Sequence, residues 1–346
     1  MPFRSRYAVL SSLVLAAAVL SGAARGAELD PTAPLPVDPS VKMGALPNGM
    51  RYWIRKHATP PGKVGFWLHI GSGSLNESDD QRGLAHFLEH MAFNGSKNFA
   101  PGTLVKFFES LGMQFGADQN AFTSFDQTTY ILTMPNVEPE TISKGMTYFA
   151  DVAYRLDLPP AEIDRERGVV LEEKRMRNGP QQRLQDKEFP VMLPGSLVPE
   201  RMPIGTEEVL KAAQRERFED YYKAWYRPEI STLIVVGDID VAEMEQVIQD
   251  HFAGWPKGEN PRAPADPKLK VYDSTRAAVF TDPEITRTEI SVVSVRPKFE
   301  IKSIGDFRTD LVTDLGTWIF QPPHARTGPE RQSALPARQR RRLGLP

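Results

Sequence analysis

Hydrophobic and polar residues alternate along the chain with two different periods, which predict a mixture of strands and helices. Residues 41–57 have a strand–turn–strand pattern around Asn48-Gly49, a pair that favours a tight hairpin turn, and residues 113–134 alternate polar with aromatic or β-branched residues, which is typical of strands. Further strands are predicted over 63–70, 113–134 (as two strands) and 231–236. Helical spacing of apolar residues predicts helices over 83–93, 103–111, 138–155, 159–179, 207–213, 215–226, 241–252 and 306–320.

The order of these elements predicts the fold class and the domain organisation. Strands and helices mix without a regular βαβ repeat, so we predict an α+β fold with an antiparallel-rich sheet packed by helices. A stretch rich in Pro and Gly at 256–269 is typical of a linker. We therefore expect one complete domain over 41–255, and an incomplete second α+β domain, opening with a β-rich pattern, over 270–320.

The two ends of the chain differ from its middle. Residues 1–27 hold Arg4 and Arg6, then an apolar run, then small residues, which is the order of a secretory signal peptide, and a Pro-rich linker follows over 28–40. Because the apolar run is too short to span a bilayer, we expect a periplasmic or secreted protein without stable membrane insertion. Residues 321–346 carry six Arg and five Pro without hydrophobic periodicity. Such a tail can bind nucleic acid or anionic lipid, but we interpret it as an aberrant or disordered segment unrelated to the fold.

The amino-acid composition limits the kinds of site that the chain can contain. With 346 residues, 40% hydrophobic and 25% charged, the chain is globular, which argues against a wholly disordered or collagen-like protein. Cysteine is absent, and this excludes disulfides, Cys-ligated zinc, iron–sulfur clusters and a cysteine nucleophile. Any metal must therefore be held by carboxylates and the six His. The net charge of −2 conceals an acidic body, because nine Arg lie in the two ends, so no nucleic-acid partner is predicted.

Candidate chemistry begins on one predicted helix. His86 and His90 are four residues apart and lie on one helix face, so both imidazoles can reach one ion. Neutral imidazole is a good zinc ligand. Glu89 borders the same face, from which a carboxylate can take a proton from the attacking water and pass it to a leaving amine. The alternative is a chance His pair on a packed helix.

A catalytic zinc usually has three protein ligands, so a third is sought on another element. The charged helix over 159–179 offers Glu162, Glu166, Glu172 and Glu173. Glu166 and Glu173 are two turns apart and share a face, whereas Glu172 is rotated by about 100° from Glu173. A solvated helix face would also explain these residues, so the spacing alone leaves the choice open.

Several motifs in a fixed order resemble a known family. The segment 83–95, which contains His86-Phe87-Leu88-Glu89-His90, resembles the active-site helix of the pitrilysin/insulin-degrading family of zinc metallopeptidases, the inverzincins. Other stretches agree with that family in order and spacing: Gly71-Ser72-Gly73-Ser74 with Glu77, Asn120-Ala121-Phe122-Thr123-Ser124, the helix stretch 166–173, and the framework stretches 226–228 and 235–238. The similarity is greatest to the N-terminal half of a long periplasmic-type member.

The resemblance implies a role for each matching residue. It implies a metallopeptidase half-clamshell domain in which one Zn²⁺ per chain is ligated by His86, His90 and Glu173. Glu89 would be the general base that activates water, and Glu166 would orient a ligand imidazole. On the substrate side, the resemblance places Asn120 and Ala121 on a strand that binds an extended peptide through its backbone.

The implied function is a zinc-dependent endopeptidase that hydrolyses peptides or unfolded polypeptides. Single-chain members of the family carry two homologous halves, and the second half supplies an Arg/Tyr pair that stabilises the tetrahedral intermediate. We therefore expect this chain to be truncated and to need a C-terminal-half partner chain, or a homodimer, for full activity. The alternatives are a non-catalytic partner subunit and an inactive zinc-binding fragment.

Overall fold

The structure is a computed structural model that describes residues 29–258, 261–272, 274–296 and 299–319. The predicted signal peptide (1–27) and the predicted tail (321–346) lie outside the described residues. By their contacts, the described residues form two units, one of 38–296 and a smaller one of 29–37 with 299–319.

A single six-stranded sheet is the frame of the larger unit. Its strands lie in the order β1-β2-β6-β3-β5-β4, and only the β2–β6 pair is parallel among the pairings of this sheet. The edge strands are therefore β1 and β4. The strands are β1 (Val41–Ala45), β2 (Arg51–Lys56), β3 (Val64–Ile70), β4 (Gln119–Thr123), β5 (Thr128–Met134) and β6 (Ser231–Gly237).

Eight helices belong to the described part of the larger unit, and they confirm the α+β prediction with an antiparallel-rich sheet. Helix α3 packs against β5 and α8, and α8 packs against β2. The helices are α1 (Leu84–Met91), α2 (Thr103–Ser110), α3 (Pro139–Tyr154), α4 (Pro160–Arg177), α5 (Pro180–Met192), α6 (Glu207–Ala212), α7 (Arg215–Trp225) and α8 (Val241–Phe252).

The core lies between the sheet and these helices. Alternate residues of β3, such as Phe66 and Leu68, are fully buried, which is the period-two pattern of a strand with one face in the core. The predicted turn at Asn48-Gly49 forms as expected: Gly49 takes a φ of 98°, and the buried Asn48 side chain donates to the Phe252 and Trp255 carbonyls.

The structure adds one helix where the sequence analysis predicts no element, and it differs from the prediction in one other stretch. The Pro-containing stretch after residue 179 forms helix α5, since Pro180 occupies the first turn, where no N–H is needed, and Pro190 comes only in the last turn. Conversely, the β-rich pattern expected in 271–296 forms no strand among its described residues, so that prediction is wrong. A strand requires a hydrogen-bonded neighbour, whereas Ile290 and Val292 are largely solvent-exposed.

Two described residues of the predicted linker (256–269) are hydrogen-bonded to other parts of the larger unit. Ala265 N–H donates to Asn76 Oδ1, and Leu197 N–H donates to the Pro267 carbonyl. In the smaller unit, a ninth helix, α9 (Ile304–Ile319), follows a bridge between Pro34 and Ser303. Among the described residues, no helix has both the length and the apolar content needed to cross a bilayer.

Candidate metal centre

The N-terminus of helix α1 is held by the carboxylate of Glu77, which lies six residues before Gly83. Gly83 precedes the helix with a φ of 99° and has no side chain to cap it, so Glu77 accepts from the Gly83 and Ala85 N–H groups at 2.9 and 2.8 Å. Glu77 is buried, as are Phe87 and Leu88 on the helix itself. These bonds hold the first turn of α1 in place independently of the histidines and glutamates of the site.

Helix α4 packs against α1 and brings a second set of donors. It begins with Pro160, and it buries Ile163 and Val170. The Arg167 guanidinium lies over the Phe87 ring and donates to the Ala213 carbonyl. These contacts turn one face of α4 toward the histidines of α1.

His86, His90 and Glu173 meet at one point between these helices. The Nε2 atoms of the two histidines are 3.3 Å apart. Glu173 Oε2 lies 3.6 Å from His86 Nε2 and 3.2 Å from His90 Nε2. One donor atom from each residue thus lies within 4.8 Å of the other two. Two imidazole nitrogens and one carboxylate oxygen form a donor set suited to zinc, which in catalytic sites is typically held by three protein ligands.

The other glutamates of α4 are placed differently. Glu166 Oε1 lies 2.9 Å from His90 Nδ1, the ring nitrogen that faces away from the cluster, and Asn94 Nδ2 donates to Glu166 Oε2 at 2.9 Å. Glu172 is exposed and pairs with Arg175. Of the candidates that the spacing left open, Glu173 is the one near both imidazoles, and Glu166 fixes the orientation of the His90 ring.

The charges of the cluster complement one another. Burial lowers the pKa of His86 to about 4. Burial acts in the same direction on His90, but hydrogen bonds with Glu166 and Glu173 outweigh it and raise the pKa of His90 to about 9. The bond from His90 lowers the pKa of Glu173 to about 2. The directions of the His90 and Glu173 shifts show that this point favours a positive charge beside a carboxylate, which is the setting that a divalent cation requires.

Glu89 lies beside this cluster on α1. Its carboxylate is buried, and burial raises its pKa, while a hydrogen bond from Thr123 acts in the opposite direction. Thr123 Oγ1 donates to Glu89 Oε2 at 2.6 Å. A buried carboxylate with a raised pKa is a stronger base than an ordinary glutamate, which suits it to accept and release a proton.

Asn120 and Ala121 lie on the edge strand β4, which packs against α1. The Ala121 N–H donates to the side-chain Oδ1 of Asn120 at 2.8 Å instead of to β5, and Asn120 Nδ2 donates to the Gly116 carbonyl. This N–H therefore takes no part in the pairing between β4 and β5.

Sequence reasoning missed three partners of the site. Thr123 contacts Glu89, Asn94 contacts Glu166, and Arg177 forms an ion pair with Glu173. Thr123 and Asn94 fall inside stretches that resemble the family, but no spacing rule assigns them a contact. Arg177 is the exception, since it lies one turn after Glu173 on the same helix and the i, i+4 rule predicts such a pair.

Comparisons with family models and solved structures show which known proteins this chain is similar to. Residues 53–187 match the family model described as insulinase (peptidase family M16), and residues 212–307 match the model of the peptidase M16 inactive domain. The first half of the periplasmic protease PqqL from Escherichia coli superposes with a TM-score of 0.66 and 35% identity, over 69% of this chain and 51% of that one.

Curated relatives are longer proteins. The probable zinc protease PqqL of Haemophilus influenzae is 33% identical over 297 residues, and that of E. coli is 37% identical over 224 residues. These alignments cover 86% and 65% of this chain but 29% and 24% of the relatives, so the chain spans less than a third of their length. The family models, the relatives and the half-clamshell fold together show that this chain belongs to the M16, or insulinase, family of zinc proteases.

Proposed function

We propose that this chain is the zinc-bearing part of an exported endopeptidase that hydrolyses peptides or unfolded polypeptides. The observation that carries the proposal is the convergence of His86, His90 and Glu173 on one point, with the buried carboxylate of Glu89 beside it. The relatives named as zinc proteases support a protease function.

The proposed roles follow from the contacts. His86, His90 and Glu173 would hold a zinc ion, which would supply Lewis acidity toward a peptide carbonyl and toward water. Glu166 keeps the Nε2 atom of His90 directed at the ion by holding Nδ1. Glu89 takes a proton from the attacking water and then gives it to the leaving amine.

Substrate binding is proposed at the free edge of β4. An extended peptide can add to this edge as a further strand. Such binding recognises the peptide mainly through its backbone and less through its side chains. The Ala121 N–H is available for this pairing once the Asn120 side chain releases it. Because β4 packs against α1, a peptide added there would pass close to Glu89.

Two further parts of the proposal concern assembly and location. Full activity is proposed to need a second half, supplied by a partner chain or by a second copy of this chain. The predicted signal peptide, and the E. coli structure described as a periplasmic protease, support a periplasmic location. The non-catalytic partner subunit is disfavoured, because this chain retains a complete set of donors.

The proposal is tested with the full chain and an unstructured fluorogenic peptide. Cleavage that is lost on chelation, returns with zinc and is absent in Glu89→Gln supports the endopeptidase. Zinc binding without cleavage, also after addition of a separately expressed second half, would favour the inactive zinc-binding fragment. Cleavage that survives complete zinc removal would overturn the proposal.

A further inference from the structure

Thr123 connects the edge strand to the catalytic helix. It is the last residue of β4, and its hydroxyl donates to Glu89 Oε2 at 2.6 Å. The two residues are 34 positions apart in the chain. A hydroxyl bonded to a carboxylate forms a short, strong hydrogen bond, and this one lies in a partly buried setting where it is strengthened further.

The backbone around Thr123 is held by direct contacts. Ser74 N–H donates to the Ser124 carbonyl at 3.0 Å, and Leu75 N–H donates to the Phe125 carbonyl at 2.8 Å. Gly73 approaches this turn so closely that an added Cβ would lie 2.2 Å from the Ser124 oxygen. These contacts hold the turn after β4 in a fixed position relative to residues 73–75.

The same segment continues into the group that fixes α1. Glu77, two residues beyond this contact, accepts from the Gly83 and Ala85 N–H groups at the start of the helix. The strand end that carries Thr123 and the helix that carries Glu89 are thus anchored to one short stretch of backbone. The hydrogen bond between the two side chains joins elements that are already fixed, so little entropy is lost in forming it.

We propose that Thr123 is a positioning residue that holds the carboxylate of Glu89 in the orientation needed for proton transfer. The inference rests on the proposed function. With Oε2 occupied by the Thr123 hydroxyl, Oε1 exchanges the proton. Water gives a proton to Oε1 as its oxygen bonds to the peptide carbon, and the same proton passes to the amine nitrogen as the carbon–nitrogen bond breaks.

The test compares Thr123→Val, which keeps the shape and removes the hydroxyl, with Thr123→Ser, which restores the hydroxyl. Thr133→Val is the matched control, since Thr133 lies at the far end of the same hairpin. We expect Thr123→Val to lower kcat by about 10- to 100-fold with KM and zinc content unchanged. Thr123→Ser should recover most of the loss, and Thr133→Val should cleave as the wild type does. An unchanged kcat in Thr123→Val would overturn the inference.

A second readout needs no catalysis. In the metal-free full chain, Thr123→Val should lower the urea midpoint of unfolding in the wild-type background and leave it unchanged in the Glu89→Ala background. Equal shifts in both backgrounds would overturn the inference. If the wild type binds zinc but cleaves nothing, the proposed function fails, while this double-mutant cycle still tests whether the Thr123 hydroxyl bonds the Glu89 carboxylate.

Discussion

Glu166 lies 2.9 Å from the Nδ1 atom of His90, on the opposite side of the ring from Glu173. One carboxylate therefore orients the imidazole while the other faces the proposed ion. We expect Glu166→Gln to weaken zinc binding by about 10- to 100-fold, because the amide orients the ring less firmly. Glu173→Gln should weaken it more, because a ligand is lost. Competition with a chromophoric chelator measures both affinities, and the reverse order would mean that the ligand was assigned to the wrong glutamate.

Zinc binding should release about one proton near neutral pH. His90, with a pKa of about 9, is protonated in the metal-free chain, whereas His86, with a pKa of about 4, is already neutral. Since the metal binds only neutral imidazole, affinity should rise as the pH rises toward 9 and fall on acidification. Calorimetry in buffers of different ionisation enthalpy counts the protons. Release of none, or of two, would contradict this description.

The contact between Gly73 and the turn after β4 predicts a steric effect on stability. Gly73 has a φ of −145°, which any residue can adopt, so the close backbone of the turn is what opposes a side chain there. An added Cβ would lie 2.2 Å from the Ser124 oxygen, 2.7 Å from the Gln127 nitrogen and 2.8 Å from the Phe125 carbonyl carbon. We expect Gly73→Ala to lower the free energy of unfolding by about 1–3 kcal/mol. Gly168→Ala is the control: it lies inside α4 with open space around its Cβ, and it should stabilise the protein by about 0.5–1 kcal/mol. Urea unfolding measures both, and a neutral Gly73→Ala would disprove the tight contact.

Ala121→Pro tests peptide binding at the β4 edge. The substitution removes an N–H that takes no part in the pairing with β5, so the sheet should persist while one hydrogen bond to the peptide is lost. We expect a labelled peptide to bind about 2- to 10-fold more weakly in a Glu89→Gln background, where it is not cleaved. Fluorescence anisotropy measures this affinity, and Ala121→Val, which keeps the N–H, is the control. Equal affinities for the two variants would place the peptide elsewhere.

Local patterns predicted much of the fold and part of the cluster formed by His86, His90 and Glu173. The Asn48-Gly49 hairpin and α1 depend on residues that are close in sequence, where turn chemistry and helical periodicity act directly. That Glu166 and Glu173 lie on the same face of α4 also follows from their spacing of two helical turns. The family resemblance implied Glu173 as the third ligand, whereas its approach to both imidazoles depends on the packing of α4 against α1, which no local pattern contains.

The site contacts that were not predicted join residues that are far apart in the sequence. Thr123 and Glu89 are 34 residues apart, and Asn94 and Glu166 are 72 apart, so only the fold brings these partners together. The β-rich pattern in 271–296 predicted strands that the described residues do not form, for a related reason. Alternating apolar residues predict a strand only where a neighbouring strand can accept its hydrogen bonds.

Metal content tests the central claim most directly. The wild-type chain, His86→Ala and Glu89→Gln should be purified in parallel, loaded with zinc, freed of excess metal and analysed by atomic emission. We expect about one zinc per chain in the wild type and in Glu89→Gln, because Glu89 is not a ligand, and almost none in His86→Ala. Equal zinc content in the wild type and His86→Ala would contradict the metal centre proposed here.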